Sequence, residues 1–466
     1  MRGKTRLLHA GCAIALMTAA TPAFAQDDTT SQLLLRLKEK GILTDEEYNQ
    51  LMARKAAEPA AVATSAPTAP QQAAAQALDD KHLVRMADSG VGMQVGGVTV
   101  KFSGSINGFY THESGDKSPT GTAVAGGLAG VGKNSSSVRN GLLPGFLKVD
   151  VTTNQGGWDV GAHFGLYPGI NSVTNVGGAN SAGNPQALAT SGIDFRQTYL
   201  TFGRPNIGEF KIGRDIGLFG SDAILNDITL LSVGSTGGNV APSNTSLGRI
   251  GIGYIYTDFQ PQITYTTPKI GGFQASFGAF QPLVTIGNAE VNGTPGFQGK
   301  VTFDFTVDKI SGHLWASGIT QKHDGVGGFP SYTGSGFDVG AKLTYGPVSA
   351  LGYYYDGSGL GTTGLFILST DAFGRKRDSN GFYGQVTATF GKVTLGGSYG
   401  ESHLDLASGE VNPTLVDKNS SWVGQARYGL TSWITLVGEY VRTKAEAHGP
   451  NEASSDTVAA GAILFF

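Results

Sequence analysis

Hydrophobic and polar residues alternate along most of the chain after Val98, most regularly in its last stretch, Ser455 to Phe466. A period of two is what a β-strand produces, because successive side chains point to opposite sides of the sheet. The chain is therefore predicted to end in a strand with an aromatic terminal residue. Its two faces are Val458, Ala460, Ala462, Leu464 and Phe466 on one side, and Thr457, Ala459, Gly461, Ile463 and Phe465 on the other.

Earlier segments alternate in the same way. Each has one face of apolar residues that suits lipid and one face of polar or small residues. In the segment 422–428, for example, Val423, Gln425 and Arg427 form the polar or small face. Segments of about ten residues with this pattern are typical of tilted strands that cross a membrane. The clearest are residues 158–167, 297–305, 382–390 and 422–428.

The connections between these predicted strands alternate between short turns and long loops. Seven short turns, such as Asn154-Gln155-Gly156, separate eight long loops, and together they join 16 strands with both ends on the short-turn side. This count depends on interpreting Arg249 to Thr267 as a single long or interrupted strand, because a division at Asp258 makes the number odd. The long loops lie at about residues 111–142, 169–191, 215–248, 284–295, 321–335, 357–380, 403–420 and 444–453.

Lipid offers backbone groups no hydrogen-bond partner, so only helices and closed sheets cross a membrane. After the N-terminus, no apolar run approaches the roughly 20 residues that a spanning helix needs. The sequence therefore predicts an all-β fold, a 16-stranded antiparallel transmembrane β-barrel with a short N-terminal helical segment. A barrel of about 16 strands leaves an aqueous lumen, so a pore is predicted.

Composition favours one large barrel over two or three ordinary domains. Glycine accounts for 71 of the 466 residues, roughly twice its usual share, and follows no collagen-like period. A formal net charge of −3 does not indicate nucleic-acid binding. The single cysteine, Cys12, lies in a segment that is expected to be removed, so no disulfide is expected in the mature chain.

Residues 1–25 have the features of a secretory signal peptide. Their basic start and apolar middle lead to a small-residue cleavage site, Ala23-Phe24-Ala25. We therefore expect export from the cytoplasm, with cleavage near Ala25.

Residues 26–57 are predicted to form a periplasmic segment of two short helices. The first stops at Gly41, and Thr44 with Glu47 forms a capping box that opens the second. Neither helix is long enough to be stable alone, so each must pack on the other or on another copy of the chain. Residues 58–97 are rich in Ala and Pro and are predicted to be a linker before a barrel domain at 98–466.

The C-terminal strand and the loop pattern resemble those of bacterial outer-membrane porins. The segment ending in Gly-Ile-Leu-Thr-Asp-Glu-Glu-Tyr is similar to the periplasmic helices of phosphate-selective and DcaP-like trimeric porins, which can form a coiled coil. A generic helical hairpin is the alternative. The resemblance implies a homotrimer in the outer membrane of a Gram-negative bacterium, in contact with outer-membrane lipid and lipopolysaccharide. It also implies that the barrel assembly machinery reads Phe466, and that small hydrophilic solutes or ions diffuse passively without a cofactor.

Porins of this kind fold their third external loop into the lumen. Here the third long loop is also the longest, and the segment from Lys211 into it resembles the strand-to-loop junction of such porins. Arg214 and Lys211 are predicted to face acidic loop residues across the pore, in a transverse field that orients dipolar solutes. Alternatively, these charges pair and hold the loop without selecting solutes. The candidate constriction residues are Lys211, Arg214, Asp215, Asp222 and Asp227.

Alternation assigns further charged residues to the inner wall, as solute contacts or as ordinary solvated residues. They have mixed signs, which does not fit phosphate selectivity, so small carboxylates, sugars and unselective passage stay open. A basic cluster, Arg375-Lys376-Arg377, ends one external loop, where it is either solvated or attracts anions and lipopolysaccharide phosphates. The wall residues are Lys148, Asp150, Asp159, Lys300, Asp304 and Arg427, with Arg196 in a segment that alternates poorly.

Other function classes lack support in the sequence. It contains no metal-type spacing of His and Cys, no Gly-x-Ser-x-Gly elbow and no Walker loop, so an enzyme is not expected. A secreted or surface β-rich adhesin is the alternative from the binding class, but it does not predict alternating loop lengths. A transporter with a plugged lumen normally needs a globular plug domain before the barrel, and residues before Val98 do not provide one.

Overall fold

A computed structural model describes residues 48–49, 84–86, 90–115, 124–132, 134–170, 193–236 and 245–466. Residues 1–77 and residues 78–466 form separate compact units. In the first unit, Tyr48 and Asn49 are helical, as the second predicted helix requires. The predicted signal peptide, the first helix and most of the linker lie outside the described residues.

The second unit consists almost entirely of an antiparallel sheet in which strands adjacent in sequence pair with each other. Its strands are β1 (Val84–Met86), β2 (Val91–Val95), β3 (Val98–Gly115), β4 (Ser135–Arg139), β5 (Phe146–Gln155), β6 (Trp158–Pro168), β7 (Ile193–Arg204), β8 (Gly208–Ile216), β9 (Phe259–Thr266), β10 (Phe273–Phe280), β11 (Gly296–Val307), β12 (Ile310–His323), β13 (Tyr332–Tyr345), β14 (Val348–Ser358), β15 (Asp378–Phe390), β16 (Val393–Leu404), β17 (Val416–Gly429), β18 (Ile434–Ala447) and β19 (Glu452–Phe465).

The sheet closes on itself because β19 pairs with β3. Strands β4 and β5 pair with successive parts of β3 and occupy one position in the wall. Strand β2 pairs with the first residues of β3, and β1 pairs with β2. These two short strands are not counted as separate strands of the barrel wall. The result is a closed antiparallel barrel of 16 strands, which confirms the predicted fold class.

Two predicted boundaries are wrong. Residues 249–258 were expected to begin a strand, but they belong to the preceding loop, and β9 starts only at Phe259. Gly251 and Gly253 adopt positive φ angles of 75° and 124°, which interrupt an extended backbone. The strand count is unaffected, because the misassigned residues precede a single strand. The predicted linker also ends earlier than residue 97, because it contains β1 and β2.

Aromatic side chains mark two levels on the outer face of the barrel. Towards the short turns, Trp158, Phe202 and Phe210 form a chain of ring contacts, with centroids 6.1 Å and 5.2 Å apart. On β15, Phe382 and Phe390 are both exposed. Their spacing corresponds to about 26 Å along the strand, or about 20 Å in height at a tilt of about 40°. This is close to the roughly 25 Å apolar band of outer-membrane barrels.

The inner face is less polar than alternation predicts. Val423 was assigned to a polar or small face, yet it is buried inside the barrel against Ile228 and Val441. Large wall residues on β12 to β15, including Trp315, Tyr353 and Tyr383, are buried in the same way by loop residues within the lumen. Burial of such a side chain contributes about 1.5–3 kcal/mol. Among the described residues, no helix has the length and apolar character to cross a membrane.

The last residue completes the seam between β19 and β3. Phe466 and Gly104 exchange both backbone hydrogen bonds, each at 3.1 Å. A Cβ atom at position 104 would lie 2.5 Å from Cζ of Phe466, so glycine is needed where the terminal ring crosses β3. The ring of Trp433 lies 6.2 Å away and covers it from the neighbouring turn.

Replacing Phe466 with alanine is expected to weaken this seam by about 1–3 kcal/mol, because the variant loses the ring that packs over Gly104. Urea unfolding in detergent and heat-modifiable mobility in gels would measure the loss. The matched control is Phe465→Ala, since Phe465 points to the other side of the sheet. Equal stability of F466A and F465A would contradict this role for the terminal ring.

Candidate functional site

The described parts of the third loop, residues 217–236 and 245–258, lie inside the barrel. The loop leaves the wall after β8 and forms helix α1 (Ser221–Asn226), which is followed by a 3-10 turn (Ile228–Leu231). Helix α1 begins where Gly220 adopts a left-handed conformation with φ 72°. A side chain there is strained, so glycine allows the chain to turn from the wall into the lumen.

Polar side chains on several wall strands bind the main chain of this loop. On β11, the Oε1 atom of Gln298 accepts hydrogen bonds from the backbone N–H groups of Leu218 (2.8 Å) and Phe219 (3.0 Å). On β13, Asp338 accepts the N–H of Gly220 at 2.8 Å. These bonds satisfy backbone groups that enter the lumen without a sheet partner.

The same arrangement continues along the 3-10 turn. Gln385 on β15 accepts the N–H of Ile228 at 2.9 Å and donates to the carbonyl of Asn226 at 2.7 Å. Glu439 on β18 is buried and accepts from the hydroxyl of Ser232 and the N–H of Gly234. We call Gln298, Asp338, Gln385 and Glu439 the loop anchors.

The loop returns to the wall through its second half. The N–H of Gly253 donates to Ser402 at 2.8 Å, and the fully buried guanidinium of Arg249 lies 3.2 Å from the hydroxyl of Ser421. Asp227, buried between the two halves, accepts hydrogen bonds from Thr229 (2.6 Å) and Tyr254 (2.9 Å). Burial raises the pKa of Asp227. Asp227 therefore holds the two halves together and does not face the lumen, which corrects its predicted place in the constriction.

Charged residues join helix α1 to the wall beside it. Asp222 lies 2.8 Å from Nζ of Lys300 and 3.2 Å from Nε2 of His313. The other ring nitrogen of His313 lies 2.6 Å from Asp304, which also pairs with Lys269 at 2.6 Å. These contacts link the five residues continuously from the short turn at Lys269 to the loop helix.

The remaining wall carries a second set of pairs. Asp150 on β5 contacts Nδ1 of His163 at 2.5 Å and Nζ of Lys148 at 3.4 Å. On β8, Lys211 pairs with Asp215, four residues later, at 2.5 Å. Asp215 is buried, and each of these carboxylates already has a cationic partner on its own part of the wall.

Arg214 and Arg196 have positions that the sequence did not indicate. On β8, Arg214 lies on the face opposite to Lys211 and Asp215. It is exposed, and its guanidinium donates a hydrogen bond to the carbonyl of Phe259. It makes no ion pair with Asp222 or Asp227, and its predicted position opposite acidic loop residues across the pore stays a prediction. Arg196 is the extra residue of a β-bulge, where Gly165 pairs with Gln197 and Leu166 with Phe195. The bulge explains why alternation fails there.

Helix α1 separates two cavities inside the barrel. The outer cavity has a volume of about 670 Å³, is mostly apolar, and includes Ile224 and Leu225 in its lining. The inner cavity has a volume of about 460 Å³ and is lined by Asn226 together with Lys269, Asp304, His313 and Lys342. Consecutive helix residues therefore face different surroundings, one apolar and one charged.

Lys342 and Arg427 are inward-facing wall cations with no acidic partner at ion-pair distance among the described residues. Lys342 on β13 donates to the side-chain oxygen of Asn226 at 3.1 Å, and Arg427 on β17 lies on the same inner face as Gln425. Alternation identified Arg427. It did not single out Lys342 or the loop anchors, because an inward polar residue in a sequence does not reveal what it contacts.

The sixth external loop, residues 359–377, borders the outer cavity through Thr363, Gly364 and Ile367. Its position depends on Arg377, which makes two hydrogen bonds to Glu410 of the seventh loop, at 2.5 Å and 2.9 Å. The guanidinium of Arg377 lowers the pKa of Glu410 to about 2. Arg375 pairs with Asp371 at 2.5 Å, so two of the three residues in the predicted basic cluster are held in ion pairs.

The part of the chain that the structure describes contains no group of His, Cys, Asp and Glu side chains that could hold a metal ion. Asp159, the remaining wall residue predicted from alternation, is exposed near a short turn, where it accepts a hydrogen bond from Asn154 at 2.9 Å.

Comparisons with known proteins agree with this architecture. A model of the Gram-negative porin family matches residues 60–448. Among solved structures, the outer membrane channel DcaP of Acinetobacter baumannii is similar, at 15% identity and a TM-score of 0.58, with 82% of this chain and 99% of that chain covered. OprB of Pseudomonas putida, in a high-pH structure, has 13% identity and a TM-score of 0.50, with 79% and 94% covered. No curated protein matches the sequence.

Replacing Asp338 with asparagine is expected to loosen the third loop. Both oxygens of Asp338 accept hydrogen bonds, from Gly220, Ser317 and Tyr353. In asparagine, an NH2 group replaces one of these oxygens and cannot accept the hydrogen bond offered to it. A buried mismatch of this kind costs about 1–3 kcal/mol. Urea unfolding and protease cleavage within residues 217–258 would measure the effect. The control, Asp356→Asn on the exposed face of β14, should change neither, and equal behaviour of both variants would contradict the anchoring role.

Replacing Glu410 with glutamine is expected to destabilise the loops in a pH-dependent way. Because the folded pKa of Glu410 is depressed from 4.5 to about 2, its stabilising effect is present above pH 4.5 and is lost as the pH falls towards 2. At pH 7 the loss should be up to about 2 kcal/mol after solvent screening. The difference in urea midpoint between wild type and E410Q should therefore shrink between pH 4.5 and 2. Glu452→Gln, in an exposed ion pair, is the control; a difference that is independent of pH would contradict the assignment.

Proposed function

The chain belongs to the family of Gram-negative porins and is an outer-membrane channel, and from this premise we propose that it admits small hydrophilic solutes and ions by passive diffusion. The observation that carries the proposal is the position of helix α1 between two cavities of one closed barrel. Solutes would enter the outer cavity, pass the helix and leave through the inner cavity. The adhesin alternative finds no support in a closed barrel of this family.

We propose that the third loop forms the constriction of this channel. The loop anchors support the proposal, because they hold its backbone against the wall at four strands. Asp222 would lie on the loop side of the passage, with Lys211 and Asp215 on the wall side. Because Asp222 and Asp215 are each paired with a lysine, the transverse field would be weaker than that of unpaired charges.

Selection by charge would then depend on inward-facing wall cations that have no acidic partner in the described chain, such as Lys342 and Arg427. A unit charge about 7 Å from a passing ion in water contributes ~0.6 kcal/mol, or a factor of about 2.7 in local concentration. We therefore propose a weak preference for anions. Lys148, Asp150, Lys300 and Asp304 would act mainly as hydrated wall residues whose charges are compensated by neighbours.

We also propose a homotrimer, with Phe466 as the signal to the barrel assembly machinery. Small outward-facing residues support a close contact between barrels, since Gly108 on β3 pairs with Ala462 on β19, next to Ala460. The remaining outer surface would contact outer-membrane lipid and lipopolysaccharide. The N-terminal segment, residues 26–57, would associate in the periplasm after removal of the signal peptide.

Purified protein in a planar bilayer is expected to give stepwise conductance in KCl. Under a KCl gradient, the double variant Lys342→Gln with Arg427→Gln should lower the ratio of anion to cation permeability severalfold, because each removed charge attracts anions and repels cations. Reversal potentials would measure this ratio. Lys309→Gln, in the turn after β11, is the control and should leave it unchanged.

The two parts of this experiment test different statements. An absence of conductance steps would contradict the channel proposal itself. Normal steps with an unchanged reversal potential in the double variant would exclude Lys342 and Arg427 from the conduction path.

A further inference from the structure

We propose that the outer cavity is a binding subsite for small zwitterionic solutes with a hydrophobic body, such as amino acids with large apolar side chains. This inference rests on the proposed channel function and adds a solute class to it. It follows from three features of the cavity: its apolar lining, a mixed-charge group at one side, and its contrast with the inner cavity.

The apolar lining comes from the third loop and from the end of the first. Leu225 of helix α1 is 54% exposed although it lies within the barrel. Leu230, Leu247 and Ile250 of the same loop line the cavity with it, as does Leu143. Apolar surface that faces water is stabilised when a solute covers it, at about 25 cal/mol for each Å². A solute with a hydrophobic body would therefore stay longer here than a sugar of the same size.

Charged side chains of both signs line this cavity: Asp194, Asp215, Asp258, Arg196 and Arg214. The side chains of Asp194 and Arg196 lie 3.2 Å apart. The guanidinium of Arg196 also lies over the rings of Tyr167 and Phe259, 5.2 Å and 5.9 Å from their centroids. The two rings restrict where the guanidinium can move, and they form an aromatic surface beside the charges.

Such a pair suits a zwitterion better than a simple ion. A guanidinium has five N–H donors, so it can bind a solute carboxylate while it keeps its bond to Asp194. A solute ammonium group can approach Asp194 from the same side. An anion alone is repelled by Asp194 and a cation alone by Arg196, whereas a zwitterion matches both charges.

The two cavities differ in what they can bind. The outer cavity, at about 670 Å³, falls within the range of roughly 300–1,000 Å³ that is usual for small-molecule sites. The inner cavity is lined mainly by charged and hydroxyl side chains, including Lys342, Asp304 and Thr344. A hydrophobic body meets much less apolar surface once it passes helix α1. The geometry therefore retains solutes on the external side and releases them towards the periplasm.

The test is single-channel recording of the whole protein in KCl with L-phenylalanine added on the loop side. L-phenylalanine is expected to interrupt the current with resolvable residence times, whereas glycine at the same concentration does not. 3-Phenylpropionate and 2-phenylethylamine, which keep the ring and carry one charge, should reside several-fold more briefly. Glycine that interrupts as L-phenylalanine does, or no interruption by L-phenylalanine in channels with normal KCl conductance, would overturn the proposal.

Variants locate the site. Leu225→Ser should shorten the residence of L-phenylalanine at least about threefold, because it removes exposed apolar surface from the cavity. Leu430→Ser, in the exposed turn between β17 and β18, is the matched control and should leave the residence time unchanged. Equal residence in L225S and L430S would place the binding elsewhere. Absence of KCl conductance would instead overturn the channel function on which this inference rests.

Discussion

The structure depends on one constraint: within lipid, every backbone N–H and C=O group must bond to another group of the protein. The chain meets this constraint by pairing β19 with β3, so the sheet has no free edge. The terminal residue belongs to this solution, because Phe466 and Gly104 supply the last two bonds of the seam. Closure at 16 strands also creates a lumen too wide for wall side chains alone to fill.

The same constraint applies to the loop that enters the lumen. The loop backbone has no neighbouring strand to supply hydrogen bonds, so wall side chains supply them. Successive backbone groups of the loop bind to Gln298, Asp338, Gln385 and Glu439. Apolar loop residues such as Phe219 and Ile228 then bury wall residues that would otherwise face water. The wall is thus apolar outside towards lipid. Where the loop covers its inner face, it carries apolar residues and the loop anchors, and where the lumen stays open it carries ion pairs.

Several carboxylates of the lumen are paired with basic side chains. Asp150, Asp215, Asp222 and Asp304 each have a lysine or histidine within ion-pair distance. Paired charges in water interact weakly with a passing ion, so Lys342 and Arg427 gain importance although they are few. The outer cavity differs because apolar side chains of the loop, together with Asp194 and Arg196, line it. In the proposed channel, selection by hydrophobic contact and selection by net charge would therefore occur on opposite sides of helix α1.

The sequence by itself determined the barrel, because residue alternation and loop-length parity are local properties of the chain: they predicted the 16 strands and the inward direction of Lys300 and Arg427. Only the tertiary structure decided what those residues meet. Asp227 was predicted to face the lumen but is buried against Tyr254, and residues 249–258 were interpreted as strand although they are loop. The physical reason is that a period-two pattern shows only which face of the sheet a residue occupies. The docking of the loop depends on contacts between residues more than a hundred positions apart, such as Gly220 with Asp338 and Ser232 with Glu439.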